Sequence, residues 1–129
     1  MGNTFKYHMH PDEYPYDKSP IEFDPLYGFP EGARKQKVAR VSYAEIESMQ
    51  PPLEFRDYCL HKVFEYKACV NENIPFFSRC EHKMHEYANC EYEELYDRMK
   101  DYERERRLLL RRKRILQKQK EKQQLMTAS

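Results

Sequence analysis

Four cysteines constrain this chain more than any other feature. Cys59, Cys69, Cys80 and Cys90 occur with nine residues inside each pair and ten residues between the pairs. Cysteines ten positions apart on one helix are separated by about 15 Å of rise, whereas a disulfide requires Cα atoms within about 7 Å. Bridges within each pair are therefore excluded, and two connectivities remain.

The register of an antiparallel helical hairpin selects between the two connectivities. The pairs Cys59–Cys90 and Cys69–Cys80 share one sum of residue numbers, as facing positions in such a hairpin must, and their common midpoint falls immediately before Pro75. The alternative pairing would need parallel helices joined by a connection too short to run back. We therefore predict a hairpin with Cys59–Cys90 and Cys69–Cys80 bridges. The apolar residues that this register brings opposite one another are Phe55 with Leu95, Val63 with Tyr87 and Tyr66 with Met84.

Prolines and capping residues divide the rest of the chain. Five of the eight prolines and all three glycines lie in the first 40 residues among aromatic side chains, which favours an extended arm whose rings dock elsewhere. Ser42 and Glu45 form a capping-box pattern, which predicts a short helix ended by Pro51. After Phe76 no proline or glycine follows, so the second hairpin helix, expected after a first helix from Leu53, can run to about residue 120. The predicted all-α fold comprises 1–41 (extended arm), 42–50 (short helix), 53–97 (disulfide-stapled antiparallel hairpin) and 98–129 (long charged C-terminal helix).

Charge is distributed unevenly along the chain. The segment 98–122 holds 12 basic and four acidic residues, a net charge of +8, so the remainder of this chain of net charge +1 carries −7. Such asymmetry indicates a partner surface, which could be an acidic protein, lipid headgroups or nucleic acid. A narrow apolar stripe on the same helix is suited to lying along another protein. The stripe comprises Leu95, Met99, Tyr102, Leu109 and Leu116.

Metal and redox chemistry are the alternative uses of the four cysteines. Structural zinc sites favour ligand pairs two to four residues apart, so the spacing found here cannot converge on one ion. A catalytic thiol would need a Cys-X-X-Cys motif or a lone activated cysteine, and the sequence has neither. His82 and His85 share a helix face, but exposed helix histidines explain this pattern better. We therefore predict no catalytic, cofactor-binding or metal-binding residues.

Two disulfides indicate an oxidising compartment, yet neither a secretory signal nor a membrane-spanning segment is visible. The twin C-X9-C spacing resembles the coiled-coil-helix-coiled-coil-helix proteins of the mitochondrial intermembrane space, which enter without a presequence through a disulfide-relay import machinery. Three further blocks narrow the resemblance to the beta-subcomplex subunit 7 family of mitochondrial complex I. They are DPLYGFP at 24–30, RDYC at 56–59 and RMKDYERERRLL at 98–109.

This resemblance implies a functional role. Such a protein is an accessory, non-catalytic subunit without cofactors, bound to other membrane-arm subunits on the intermembrane-space side of the inner membrane. The resemblance also implies N-myristoylation of Gly2 and hence a peripheral membrane contact, although Lys6 stands where the consensus has Ser or Thr. An assembly or copper-handling factor of the same superfamily is the alternative, but it would need additional reactive cysteines. Nucleic-acid binding would rest on the basic tail alone, and we expect none.

Overall fold

The computed structural model describes residues 2–16, 18 and 20–129. The helices in this part of the chain are α1 (Gly2–Met9), α2 (Tyr43–Met49), α3 (Leu60–Asn73) and α4 (Glu81–Ala128), with 3-10 turns at Leu53–Phe55 and Phe77–Cys80. No β-strand occurs among the described residues. The predicted all-α class with a long C-terminal helix is confirmed.

The chain divides into two compact units. We call Gly32–Asp97 the hairpin unit, and residues 1–31 together with Arg98–Ser129 the arm unit. α4 contributes its first part to the hairpin unit and the remainder to the arm unit, and it is about 70 Å long at 1.5 Å of rise per residue. Its continuity follows from the absence of proline and glycine and from local ion pairs such as Glu103–Arg107, at 3.3 Å.

In the hairpin unit, α2 begins with the capping box expected from the sequence. The Ser42 hydroxyl accepts a hydrogen bond from the Glu45 N–H (3.3 Å), and the Glu45 carboxylate accepts one from the Ser42 N–H (2.8 Å). These contacts lower the pKa of Glu45, because the backbone and side chain of Ser42 both donate to its charged form. The helix ends at Gln50, whose left-handed backbone (φ 40°) precedes two prolines.

The first hairpin helix, α3, begins at Leu60 rather than at Leu53. The Asp57 carboxylate accepts a hydrogen bond from the Cys59 N–H at 2.9 Å, which holds the intervening residues in a turn. At its other end α3 continues through Asn71 and ends at Asn73. The Asn73 amide donates to the Cys69 carbonyl at 2.8 Å and so satisfies a group in the last turn.

The core of the hairpin unit is small and lies beside the disulfides. Phe55 and Tyr87 meet edge to face, with 6.4 Å between ring centroids, and burial raises the pKa of the Tyr87 hydroxyl. Met84 and Leu95 are 58% and 46% exposed, so their expected place in this core is wrong. The fully buried residues are Pro51, Cys59, Leu60 and Cys80, and Val63 is 7% exposed.

The N-terminal arm differs from the extended segment that we expected. Residues 2–9 form α1, and the His10 N–H donates to the Lys6 carbonyl at 2.8 Å just beyond the helix. Proline, which prevents helix formation elsewhere in the arm, first occurs at Pro11. A helix is therefore permitted before that residue, and none of the regular helices occurs between Pro11 and Glu31 in the described part of the arm.

Candidate functional site

The two disulfides join the ends of the hairpin. Cys59 bridges Cys90 with a Cα–Cα distance of 5.9 Å, and Cys69 bridges Cys80 with 5.8 Å. The pairing predicted from the register is confirmed. The bridges close nested loops with sequence separations of 31 and 11 residues, and they leave no free cysteine in the chain. Loop-closure entropy assigns about 3 kcal/mol to the inner bridge and slightly more to the outer one.

Two acidic residues lie beside the outer bridge, but no cysteine thiolate is available there to complete a metal site with them. Asp57, Cys59 and Glu91 bring one potential ligand atom each within 4.8 Å of one another. The Cys59 sulfur is bonded to Cys90, however, and metal sites of this kind use a deprotonated thiol. His85 of α4 lies 3.5 Å from Glu81, and the side chains of both residues are exposed.

A cluster of four charged residues connects α3 and α4 beside the bridges. Lys62 lies 3.4 Å from Glu65 and 3.2 Å from Glu86, and Lys83 lies 3.5 Å from both carboxylates. The Lys62 hydrogen bond lowers the pKa of Glu86, and the same bond raises the pKa of Lys62. These pairs are exposed, so they fix the register of the helices more than they add stability.

Lys37 connects the segment before α2 to α4 within the hairpin unit. Its amine donates to Asp97 at 2.7 Å and to Glu94 at 2.5 Å, and it lies 5.2 Å from the centre of the Tyr58 ring. The two carboxylates raise the pKa of Lys37 because both interact with its charged form. Lys37 therefore attaches the segment that follows Gly32 to the hairpin through three partners.

In the arm unit, α4 binds the backbone of the arm. The Glu105 carboxylate, whose residue is only 9% exposed, accepts hydrogen bonds from the N–H groups of Glu22 (2.8 Å) and Phe23 (3.3 Å). The neighbouring Arg104 guanidinium donates to the carbonyls of Asp24 (3.0 Å) and Tyr27. Adjacent residues of opposite charge thus satisfy amides and carbonyls of the same arm segment. We call Arg104 and Glu105 the backbone clamp.

Cations of α4 also contact the aromatic rings of the arm. Arg112 lies over Phe23 (5.2 Å) and Arg106 lies over Tyr14 (5.1 Å), measured to the ring centroids. Arg104 lies over Phe29 at 5.3 Å. We expected the arm's rings to dock on something else. For these three residues that expectation is wrong, because arginines of the chain's own helix α4 lie over the ring faces.

Carboxylates of the arm neutralise part of the basic helix. Lys113 lies 2.7 Å from Asp12 and 2.5 Å from Glu13, and Arg112 lies 3.1 Å from Glu22. The Lys113 hydrogen bond lowers the pKa of Asp12, and the Asp12 carboxylate raises the pKa of Lys113. The acidic front and the basic tail of the sequence thus meet within the arm unit.

The apolar stripe expected on the basic helix is not a single open face. Leu109 is 3% exposed and belongs to the interior of the arm unit, whereas Met99 and Leu116 are 59% and 50% exposed. Leu109 is therefore used within the chain, whereas the side chains of Met99 and Leu116 are exposed.

Sequence reasoning identified the bridging cysteines but missed the backbone clamp. The ERERR block at 103–107 served only as a sign of family resemblance. A better signal was the arm itself, because a proline-rich segment cannot pair its own amides and carbonyls in regular structure and needs partners for them. The remaining predicted site residue, Gly2, begins α1, and its acylation stays a prediction. None of the described helices has an apolar segment long enough to cross a bilayer.

Comparisons with known proteins give matches over most of the chain. Residues 40–102 match the family described as NADH-ubiquinone oxidoreductase B18 subunit (NDUFB7). The NADH dehydrogenase (ubiquinone) 1 beta subcomplex subunit 7 of Bos taurus is 39% identical over 97 residues, which cover 75% of this chain and 69% of the bovine protein. The Caenorhabditis elegans protein of the same name is 36% identical over 105 residues, which cover 81% of this chain and 85% of the nematode protein.

The resemblance inferred from the sequence motifs is confirmed by these matches. They extend beyond the cysteine spacing, which many helical-hairpin proteins share, and the aligned lengths exceed the hairpin itself. The chain therefore belongs to the B18, or beta-subcomplex subunit 7, family of NADH–ubiquinone oxidoreductase.

Proposed function

We propose that this chain is an accessory, non-catalytic structural subunit of mitochondrial complex I. It is bound peripherally at the intermembrane-space face of the inner membrane, where it supports assembly and stability. The observation that carries this proposal is the pair of bridges, Cys59–Cys90 and Cys69–Cys80, in a chain related to subunits of that enzyme. Disulfides persist in oxidising compartments and are rare where thiols are kept reduced.

The distribution of apolar residues supports a role in protein contacts. Phe76 and Phe77 at the tip of the hairpin are more than half exposed, as are Tyr92 and Tyr96 on α4. Aromatic residues are enriched at protein interfaces, and large exposed apolar groups mark contact surfaces. The partners in this proposal are other membrane-arm subunits, together with the disulfide-relay import machinery while the bridges form.

The bridges also weigh against the alternative role in copper handling. A copper-transferring site needs thiolate sulfur, and all four sulfurs of this chain are consumed in disulfides. We propose in addition that Gly2 is N-myristoylated. One such chain gives only marginal and reversible membrane binding, so protein contacts supply most of the attachment.

The test is replacement of the endogenous family member by this chain in mitochondria. On native gels the chain should migrate with fully assembled complex I, and omission of the chain should reduce the amount of assembled complex. External protease should digest the chain in mitoplasts but not in intact mitochondria, with a matrix protein as the protected control. Migration apart from complex I, or protection in mitoplasts, would contradict the proposal.

A further inference from the structure

The C-terminal part of α4 carries a row of cations that no carboxylate among the described residues of the arm unit neutralises. Arg111, Arg114, Lys118 and Lys122 are spaced at i, i+3, i+7 and i+11, so they lie on one face of the helix. The row is about 17 Å long at 1.5 Å of rise per residue. All four side chains are exposed, and none of them forms an ion pair within the described part of the chain.

Neighbouring cations of the same helix are in a different situation. Arg112 and Lys113 turn toward the arm and pair with its carboxylates. The row faces away from these partners, and Glu121 is the only acidic residue in the sequence after Leu108. The described residues of the arm therefore neutralise one side of the helix, and none of them pairs with the four cations on the other side.

A groove borders the row on the side of the arm. It has a volume of about 260 Å³, and Arg111 belongs both to the row and to its wall. Arg112 and Gln119 also line it, but its other walls are aromatic and aliphatic, so it accepts an apolar side chain beside a positive rim. The residues that give the groove this character are Phe23, Tyr27, Leu108, Arg111, Ile115 and Leu116.

We propose that the cationic row and this groove bind an acidic amphipathic helix of a neighbouring subunit, an inference that rests on the proposed function. Carboxylates spaced by three or four residues on such a helix would pair with the row, and one apolar side chain would occupy the groove. The helix-like periodicity of the row favours a helical partner. A lipid surface is disfavoured, because helices that lie in membranes need a broad apolar face and this one is mainly charged.

Zero-length carbodiimide cross-linking of assembled complex I tests the proposal directly. This reagent joins a lysine amine to a carboxylate only when the two are in contact. Lys113 provides an internal control, because it should link to Asp12 or Glu13 of the same chain. Lys118 and Lys122 should link to aspartate or glutamate residues of another subunit. If Lys113 links as expected while Lys118 and Lys122 give no link to another protein, as with a lipid or nucleic-acid occupant, the proposal is wrong.

Charge reversal provides a second test of the proposal. The triple variant Arg111→Glu, Arg114→Glu and Lys118→Glu should lower the amount of chain in assembled complex I about tenfold, because like charges would face each other. The matched control reverses the exposed cations Lys35, Arg40 and Lys67, which changes net charge equally and should incorporate normally. Circular dichroism of both oxidised variants checks that the helices persist.

The outcomes separate this inference from the proposed function. Failure of the unmodified chain to join complex I would contradict the proposed function itself. Normal incorporation of the unmodified chain together with normal incorporation of the row variant would contradict only the inference about the acidic partner.

Discussion

The two units of this chain are held together by different interactions. The hairpin unit has two covalent bridges around a few buried residues. The arm unit has no cysteine, and its arm is held by the backbone clamp and by exposed ion pairs such as Lys113–Asp12. A short chain with little core can therefore order one region covalently and another by giving backbone groups charged partners. The first arrangement should resist changes of salt and pH, and the second should not.

Removal of the outer bridge should have the largest effect. We expect Cys59→Ser together with Cys90→Ser to lower the free energy of unfolding of the hairpin unit by about 3 kcal/mol, because the unfolded chain regains the entropy of a long loop. Denaturant unfolding of the oxidised proteins, followed by helical circular dichroism, measures this change. The matched variant Cys69→Ser with Cys80→Ser should lose slightly less, since it opens a shorter loop. Equal stability of the wild type and the outer-bridge variant would contradict the account.

Substitution of the clamp carboxylate should have the next largest effect, confined to the arm. Glu105→Gln replaces a buried charged acceptor by a neutral one, which should weaken the arm contact by about 1–2 kcal/mol. Hydrogen exchange at the Glu22 and Phe23 amides should then be about tenfold faster. Glu103→Gln is the control, because the ion pairs of Glu103 among the described residues are with Arg106 and Arg107 of its own helix. Unchanged exchange of the two amides in the Glu105 variant would show that the Glu105 carboxylate does not hold the arm.

A smaller effect should be visible in the titration of Asp12. Its pKa should lie below the ordinary value of 3.8, because Lys113 donates to its charged form. The ion pair therefore contributes above that ordinary value and is lost as the pH falls through the folded pKa. For Lys113, whose pKa is raised from 10.5, the contribution is complete below 10.5 and is lost as the pH rises through its folded pKa.

Carboxyl-directed NMR titration measures the Asp12 pKa directly. Lys113→Gln should return it toward 3.8, whereas Lys120→Gln, which removes an equal charge without an ion pair in the described chain, should not. An Asp12 pKa that is insensitive to Lys113 would show that the arm is not held at this position.

The smallest effect should come from the N-terminal modification. Gly2→Ala prevents myristoylation, and we expect it to reduce membrane retention of the unassembled chain while assembled complex I stays at normal abundance. Intact mass of the mature protein decides whether the modification exists. A chain without Met1 and with an unmodified Gly2 amine would exclude the lipid.

The hairpin was predictable from the sequence and the arm contacts were not, for physical reasons. Bridge geometry leaves few options, so the positions of Cys59, Cys69, Cys80 and Cys90 determine both the pairing and the register. The exposure of Met84 was missed because the register says which residues are opposite one another and not how closely the helices pack there.

The clamp has no comparable sequence signature. Glu105 binds backbone amides of the arm that are 82 and 83 positions away in the sequence. A backbone amide is common to nearly all residue types, so the sequence does not show which amides have a side-chain partner. Arg104 and Glu105 lie in a run of alternating charge that equally suits a solvated helix. The prolines and aromatic residues predicted that the arm's rings would dock, but they did not predict that α4 would bind the backbone of the arm.

Hydrogen exchange of the full-length chain under two conditions tests the central contrast most directly. Addition of a disulfide reductant should remove protection from amides of α3, such as that of Val63, while the Glu22 and Phe23 amides change little. Addition of about 1 M salt, which shortens the screening length to about 3 Å, should do the reverse. If both sets of amides lose protection together under either condition, the two units are not stabilised by the different interactions described here.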